Sequence, residues 1–180
     1  MDSGLRRNDT RGAAIRDRPS HTAGLPWWHP AALIATGFGA GLLPIGPGSW
    51  GSLAALVAGW FIVGEAGYAA LAAAAVIAFA LGWWASARVV RASGLADPRF
   101  IVIDEIAAQW LVLLIAPRNG FWYGVGFLLF RLFDILKPWP IRAVERRVAG
   151  GLGVMLDDIM AALYAAIILL IAEGALGVRP

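Results

Sequence analysis

Five acidic residues lie inside otherwise apolar stretches of this sequence, and they are the groups best suited to chemistry. They are Asp104, Glu105, Asp134, Asp157 and Asp158. A charge at the centre of a bilayer costs about 3 kcal/mol on insertion scales, so each carboxylate needs a partner or a watery cavity. Carboxylates that meet repel one another unless a cation lies between them. Mg²⁺ is the expected ion because it favours oxygen ligands and commonly binds carboxylate and phosphate oxygens together.

An ion pair is the alternative explanation for each acid taken singly. Arg131 and Asp134 are three residues apart on one predicted helix and can satisfy each other. Five acids that are predicted to lie at one depth in the membrane favour a shared function over separate ion pairs, because charged residues inside membrane segments are usually functional.

Other reactive side chains are scarce. The chain has no cysteine, which excludes disulfides, thiolate metal sites and a cysteine nucleophile. Its two histidines, His21 and His29, both precede the apolar region, which disfavours zinc and a catalytic histidine.

Two segments beside the acids contain groups that can bind phosphate. Segment 36–52 is rich in glycine and contains Thr36 and Ser49, so it predicts either a phosphate cradle before a helix or a tight interfacial turn. In segment 131–142, Lys137 and Arg142 follow the predicted helix end and form either a phosphate clamp or a pair of interfacial anchors. In segment 150–158 the glycines indicate either close approach to a ligand or a loop-to-helix turn.

The composition predicts that membrane helices position these groups. Hydrophobic residues make up 59% of the 180 residues and charged residues 15%, against about 45–50% and 25% in soluble domains. We expect an all-α integral membrane bundle of four to five hydrophobic helices, some of them short or re-entrant. The apolar stretches are residues 50–63, 68–85, 100–116, 121–136 and 154–172.

The basic residues predict the orientation of this bundle. They cluster before residue 26 and in connections 86–99 and 137–149, which five crossings would place on one side. The positive-inside rule makes that side the cytoplasm, so the acids would converge near the cytoplasmic interface and the C-terminus would lie outside. This clustering explains the basic pI of about 9.9 without a nucleic-acid partner.

Residues 1–25 differ from the rest in being polar and rich in arginine. We expect a disordered tail there, or a start codon placed too far upstream, and a membrane-embedded domain over residues 26–180.

Three segments together resemble the phosphatidylglycerophosphatase A family. They are TGFGAGLLPIGPGSWGSL, VIDEIAAQWL and FRLFDILKPWPIR followed by GGLGVMLDDIMAALYA, and the resemblance covers roughly residues 30–172. Small departures, such as Ala108 and Ala162 in place of glycine, affect helix packing rather than chemistry.

The resemblance implies a Mg²⁺-dependent phosphatase of the bacterial inner membrane that converts phosphatidylglycerophosphate to phosphatidylglycerol. The five acids would be metal ligands, and all of them except Asp157 would also act in catalysis. The residues expected to bind the substrate phosphate are Thr36, Ser49, Arg131, Lys137 and Arg142.

Several alternatives stay open from the sequence. A carboxylate could orient the attacking water or attack phosphorus itself. A cation transporter or channel would use the same acids as an ion pathway, and a non-catalytic scaffold would not need them. The oligomeric state is not indicated.

Overall fold

The computed structural model describes residues 24–177, and its regular structure over that range is entirely helical. The helices are α1 (Pro30–Ala35), α2 (Pro47–Ser93), α3 (Ile103–Leu113), α4 (Gly120–Leu136), α5 (Ile141–Arg147) and α6 (Gly151–Leu176), with a short 3₁₀ helix at Ala40–Leu42. The predicted tail, apart from residues 24 and 25, and the last three residues lie outside the described range.

Helix α2 is a hairpin that reverses at Gly67. The backbone there is far from helical, with φ 79° and ψ 177°, a conformation that only glycine adopts easily. We call residues 47–66 the first arm and residues 68–93 the second arm.

Contacts with α3 establish that the two arms are antiparallel. On the first arm, Gly51 lies against Val102 and Gly59 against Leu113, so the numbering rises along both helices. On the second arm the order is reversed: Gly82 lies against Ile103, while the Tyr68 hydroxyl donates to the Ala116 carbonyl at 3.2 Å. Helix α3 therefore runs parallel to the first arm and antiparallel to the second.

Small residues allow this close packing. The buried face of the first arm carries Gly51, Ser52, Ala55 and Gly59, which recur at helical spacing. The Trp110 indole N–H donates to the Ala55 carbonyl at 2.8 Å, so the α3 side chain reaches the backbone of the arm. Interfaces of this kind are typical of helices that pack within membranes.

Helices α4 and α6 complete the bundle and fix its ends. Gly126 of α4 lies opposite Val112 and Leu169, and Gly82 of the second arm lies against Met155 near the start of α6. The starts of the first arm, α3 and α6 and the end of α4 consequently meet at one end of the molecule. We call this the site end, and the opposite end, which holds Gly67, the far end.

The prediction of an all-α fold is confirmed over residues 24–177. Two helices, Pro47–Ser93 and Gly151–Leu176, are long and apolar enough to cross a membrane. The predicted stretches 50–63 and 68–85 correspond to the two arms, both longer than expected, and α3 is shorter than stretch 100–116. Helix α5, inside a segment read only as a connection, was not predicted. A membrane bundle of four or five helices stays a prediction.

Candidate active site

A polar cavity of about 220 Å³ opens at the site end. It is lined by three residues at the start of α2, by Ile101, and by nine charged residues from four parts of the chain. The charged residues are Asp97, Arg99, Asp104, Glu105, Arg131, Asp134, Lys137, Asp157 and Asp158. All five acids singled out in the sequence are among them. Because acids outnumber bases, the cavity favours positively charged ligands.

Three of the acids form a compact cluster. Carboxylate oxygens of Asp104, Glu105 and Asp158 all lie within 4.8 Å of one another. Asp104 and Glu105 occupy the first turn of α3, and Asp158 lies two turns into α6, so the packing of these helices brings them together. Asp104 and Asp158 are buried, with relative exposures of 7% and 4%.

Two oxygens in this cluster lack a partner. Glu105 Oε2 and Asp158 Oδ2 are buried and accept no hydrogen bond from any residue that the structure describes. Leaving a buried charged oxygen unpaired is costly, so this donor set fits a bound cation. Three carboxylates suit a hard ion with oxygen ligands. The buried acidic cluster can thus hold a metal ion, as expected from the sequence.

The remaining two acids are paired with bases instead. Arg131 Nη1 lies 2.8 Å from Asp134 Oδ2 and 3.6 Å from Glu105 Oε1. Lys137 Nζ lies 2.5 Å from Asp157 Oδ2. The ion pair considered for Arg131 and Asp134 is therefore present, and both bases are held at the edge of the acidic cluster.

Lys137 is positioned by both its backbone and its side chain. It ends α4 in a left-handed conformation with φ 43°, where glycine would be less strained. Its ammonium group also donates to Glu145 Oε1 at 3.1 Å. Partial burial alone lowers the pKa of Lys137, but the hydrogen bonds and charges of Asp157 and Glu145 outweigh it and raise the pKa above its usual value. The side chain is therefore a permanent cation.

The start of α2 approaches the site very closely at Gly48. A Cβ atom at this position would collide with the Glu105 carboxylate and press on Arg131 Nη1. The adjacent Ser52 hydroxyl donates to the Gly48 carbonyl at 2.9 Å and accepts from Arg131 Nη1 at 3.5 Å. Residues 46–48 bring the positive end of a helix dipole to the cavity.

Three predicted phosphate-binding residues do not line the cavity. Thr36 is buried and caps a turn: its hydroxyl donates to the Leu33 carbonyl and accepts from the Gly39 N–H. Ser49 lies beside the lining residues at the start of α2, and Arg142 donates to the Leu136 carbonyl. Direct phosphate binding by Thr36, Ser49 and Arg142 stays a prediction.

Glycines in the first turn of α6 pack closely against neighbouring backbone. A Cβ at Gly151 would collide with the Ala87 backbone, and one at Gly153 with the Val148 carbonyl. Close approach of segment 150–158 to a ligand stays a prediction.

Sequence reasoning missed Asp97 and Arg99, which line the cavity from the connection between α2 and α3. Arg99 had been counted only as a charge that sets orientation. The position of Arg99 shortly before Asp104 and Glu105 is the sequence feature that could have predicted its place in the cavity.

Comparison with known proteins gives consistent matches. A family model described as phosphatidylglycerophosphatase A matches residues 33–173. Phosphatidylglycerophosphatase A of Escherichia coli is 38% identical over 143 residues, covering 79% of this chain and 81% of that protein. The Haemophilus influenzae protein of the same name is 38% identical over 141 residues, covering 78% and 86%.

A third relative has a different name. A Bacteroides thetaiotaomicron protein provisionally named phosphatidylinositol-3-phosphatase is 38% identical over 152 residues, covering 81% of this chain and 94% of that protein. No solved structure is significantly similar to this chain.

Proposed function

This chain belongs to the phosphatidylglycerophosphatase A family, and from that premise we propose how its site end hydrolyses phosphatidylglycerophosphate. The products are phosphatidylglycerol and inorganic phosphate. One observation carries the proposed chemistry: two unpaired, buried carboxylate oxygens of Glu105 and Asp158 lie in a three-acid cluster beside fixed cations.

Asp104, Glu105 and Asp158 would hold Mg²⁺. A bound ion would supply positive charge that offsets the negative charge developing on the phosphate in the transition state. Asp134 and Asp157 form ion pairs with Arg131 and Lys137 and so hold these bases in place. Metal binding by Asp134 and Asp157 stays a prediction.

The cations would bind the phosphate that is released. Arg131 and Lys137 line the cavity, as does Arg99, and Arg131 lies between Asp134 and Glu105. A guanidinium group presents a planar fork of donors that matches phosphate oxygens. Because ion pairs fix Arg131 and Lys137 before substrate arrives, little reorganisation is needed during the reaction.

The hydrolysis breaks the bond between phosphorus and the glycerol oxygen. The oxygen that replaces it comes from water, either directly, with a cluster carboxylate accepting the water proton, or after a carboxylate has first attacked phosphorus. Trapping an acyl-phosphate in a single turnover would distinguish the two routes.

We place the protein in the bacterial inner membrane as a multi-pass protein with its site end at the cytoplasm. The gathering of the acids at one end of the bundle supports a site at the membrane surface, where a lipid phosphate lies. An ion pathway would instead require acids near the midplane.

The decisive experiment measures phosphate release from phosphatidylglycerophosphate by the purified protein with Mg²⁺ or with a chelator. We expect activity with Mg²⁺ alone, and a loss of at least about a hundredfold in Asp104→Asn and in Asp158→Asn, because each removes a charged ligand. Phosphatidylinositol 3-phosphate, offered as a second substrate, tests the activity named for the Bacteroides relative.

Glu65→Gln is the matched control, since Glu65 is an exposed acid at the far end. It should keep wild-type activity. Near-normal activity in both aspartate variants would contradict the site assignment, and cation flux across vesicles without phosphate release would favour the transporter.

A further inference from the structure

An apolar groove of about 280 Å³ runs along the outside of the bundle between the first arm of α2 and α4. Leu56, Val57 and Phe61 line it from the arm. Its floor is formed by Trp60 and Tyr123, whose rings meet edge to face with centroids 5.5 Å apart. The groove is almost entirely apolar, so it does not belong to the polar cavity.

Glycines create the open space on the α4 side. Gly120 and Gly124 line the groove, and a Cβ atom at either position would meet nothing within 4 Å. Gly124 lies in the interior of α4, where glycine is less favourable than alanine. Because neither glycine is required by a close contact, the space they leave open needs another explanation.

The two helix faces that line the groove lead toward the site. On the first arm, Gly48, Ser52 and Leu56 are spaced four residues apart and so share a face. Gly48 adjoins Glu105, Ser52 contacts Arg131, and Leu56 lines the groove. On α4, Gly124 precedes Arg131 by two turns, about 10 Å along the axis.

We propose that this groove binds one acyl chain of the lipid whose headgroup phosphate occupies the cavity. The proposal rests on the proposed function and adds a binding site for the acyl chain, which the proposed function does not specify. From Gly120 to Arg131 the helix rises about 16 Å, close to half of the roughly 30 Å hydrocarbon core. An acyl chain in the leaflet at the site end would therefore reach along the whole groove.

Arg118 contacts Trp60, a lining residue of the groove. The Arg118 guanidinium lies 4.5 Å from the centre of the Trp60 ring, and its Nε donates to the Trp60 carbonyl at 3.1 Å. A basic side chain thus lies beyond each end of the groove, with Arg131 toward the site and Arg118 toward the far end.

Filling the groove tests the proposal. Gly124→Phe places a ring where the chain would lie, and Val76→Phe is the matched control, since Val76 is an exposed residue lining a second apolar groove between the second arm and α6. Each variant is assayed with dioleoyl phosphatidylglycerophosphate in mixed micelles and with its water-soluble dibutyryl analogue.

We expect Gly124→Phe to lower kcat/KM for the dioleoyl lipid about tenfold and to leave the dibutyryl lipid unchanged, because binding energy from the distant chain supports the reaction. Val76→Phe should change neither. An equal loss on both lipids, no loss, or a loss confined to Val76→Phe would each overturn the proposal.

A second measurement does not depend on turnover. A dioleoyl-type phosphatidylglycerophosphate carrying a diazirine in one acyl chain should label segments 56–61 and 120–124 in the wild-type protein, and Gly124→Phe should abolish that label. Label spread evenly over the lipid-facing helices, or confined to the second groove, would overturn the proposal. Groove labelling without phosphate release would contradict the proposed function alone.

Discussion

At the scale of single residues, charge pairing sorts the acids of the site into two groups. Asp134 and Asp157 lie within hydrogen-bonding distance of Arg131 and Lys137, whereas oxygens of Glu105 and Asp158 have no partner among the described residues. A paired carboxylate mainly orients its base, and an unpaired buried one needs an external cation. Glu105 combines both situations, because its other oxygen, Oε1, lies 3.6 Å from Arg131 Nη1. We therefore expect substitution of Asp158 to abolish Mg²⁺-dependent phosphate release, and substitution of Asp134 or Asp157 to weaken substrate binding.

Gly48 gives a sharp test at this scale. Gly48→Ala places a methyl group against the Glu105 carboxylate and Arg131, so both side chains must move. Misplacement of a catalytic group by about 1 Å can cost about a hundredfold in rate, and we expect a loss between tenfold and a hundredfold in kcat/KM for phosphate release. Gly174→Ala, where a Cβ meets nothing within 4 Å, should be unaffected. Full activity in Gly48→Ala would show that this approach is not needed.

At the scale of helices, the hairpin of α2 is the element that assembles the site. Its first arm carries Gly48 and Ser52 to the cavity. Its second arm supports the start of α6 through the contact of Gly151 with Ala87. Both arms enclose α3, so the position of Asp104 and Glu105 depends on the turn at Gly67.

Gly67→Ala tests that dependence. A residue with a Cβ at φ 79° and ψ 177° is strained by about 1–3 kcal/mol, although no atom lies within 4 Å of the added methyl group. We expect a lower midpoint of thermal unfolding in detergent and a reduced yield of folded protein. The same change at Gly174, within a regular helix, should be neutral or slightly stabilising. Equal midpoints for both variants would mean that the turn is not strained.

The sequence predicted that the acids meet at one end and allowed the ion pair of Arg131 with Asp134, but it did not predict the ion pair of Lys137 with Asp157. Alternating helix directions and the basic connections were enough to place Asp104, Asp134 and Asp158 at one end. The contact between Lys137 and Asp157 joins residues 20 positions apart and depends on how α4 ends and α6 begins. Such distances follow from packing that no local pattern encodes.

Other features could not be predicted from the sequence, for related reasons. The 3.6-residue period of apolar side chains predicts a helix but not its length, so both arms of α2 and the break at Gly67 were located only approximately. Arg99 and Asp97 lie in a connection whose path is set by the helices on either side. The role of Gly48 became visible only once Glu105 was placed beside it.

At the scale of the whole molecule, the proposed placement in the bilayer sets which connections face the cytoplasm. The site end carries the connections on either side of α5 and between α2 and α3, and the far end carries the turn at Gly67 and residues 114–119. Basic residues concentrate at the site end, as the positive-inside rule requires of a cytoplasmic surface.

Single cysteines can report this orientation, because the chain has none of its own. Ala149→Cys introduces a thiol at the site end and Glu65→Cys introduces one at the far end, and both positions are exposed. In right-side-out spheroplasts we expect a membrane-impermeant maleimide to label Glu65→Cys, and in inverted vesicles Ala149→Cys. The reverse pattern would place the site outside the cytoplasm.

The turn at Gly67 also bears on how a ribosome-bound chain enters the bilayer. A reversal within one residue leaves no hydrophilic loop between the arms: residues 64–67 contain a single charge, Glu65. The other far-end connection, residues 114–119, likewise contains a single charge, Arg118, whose guanidinium lies over Trp60. A charged side chain inside the hydrocarbon core is costly. The two arms can accordingly insert together, because the turn between them carries only one charged residue across the membrane.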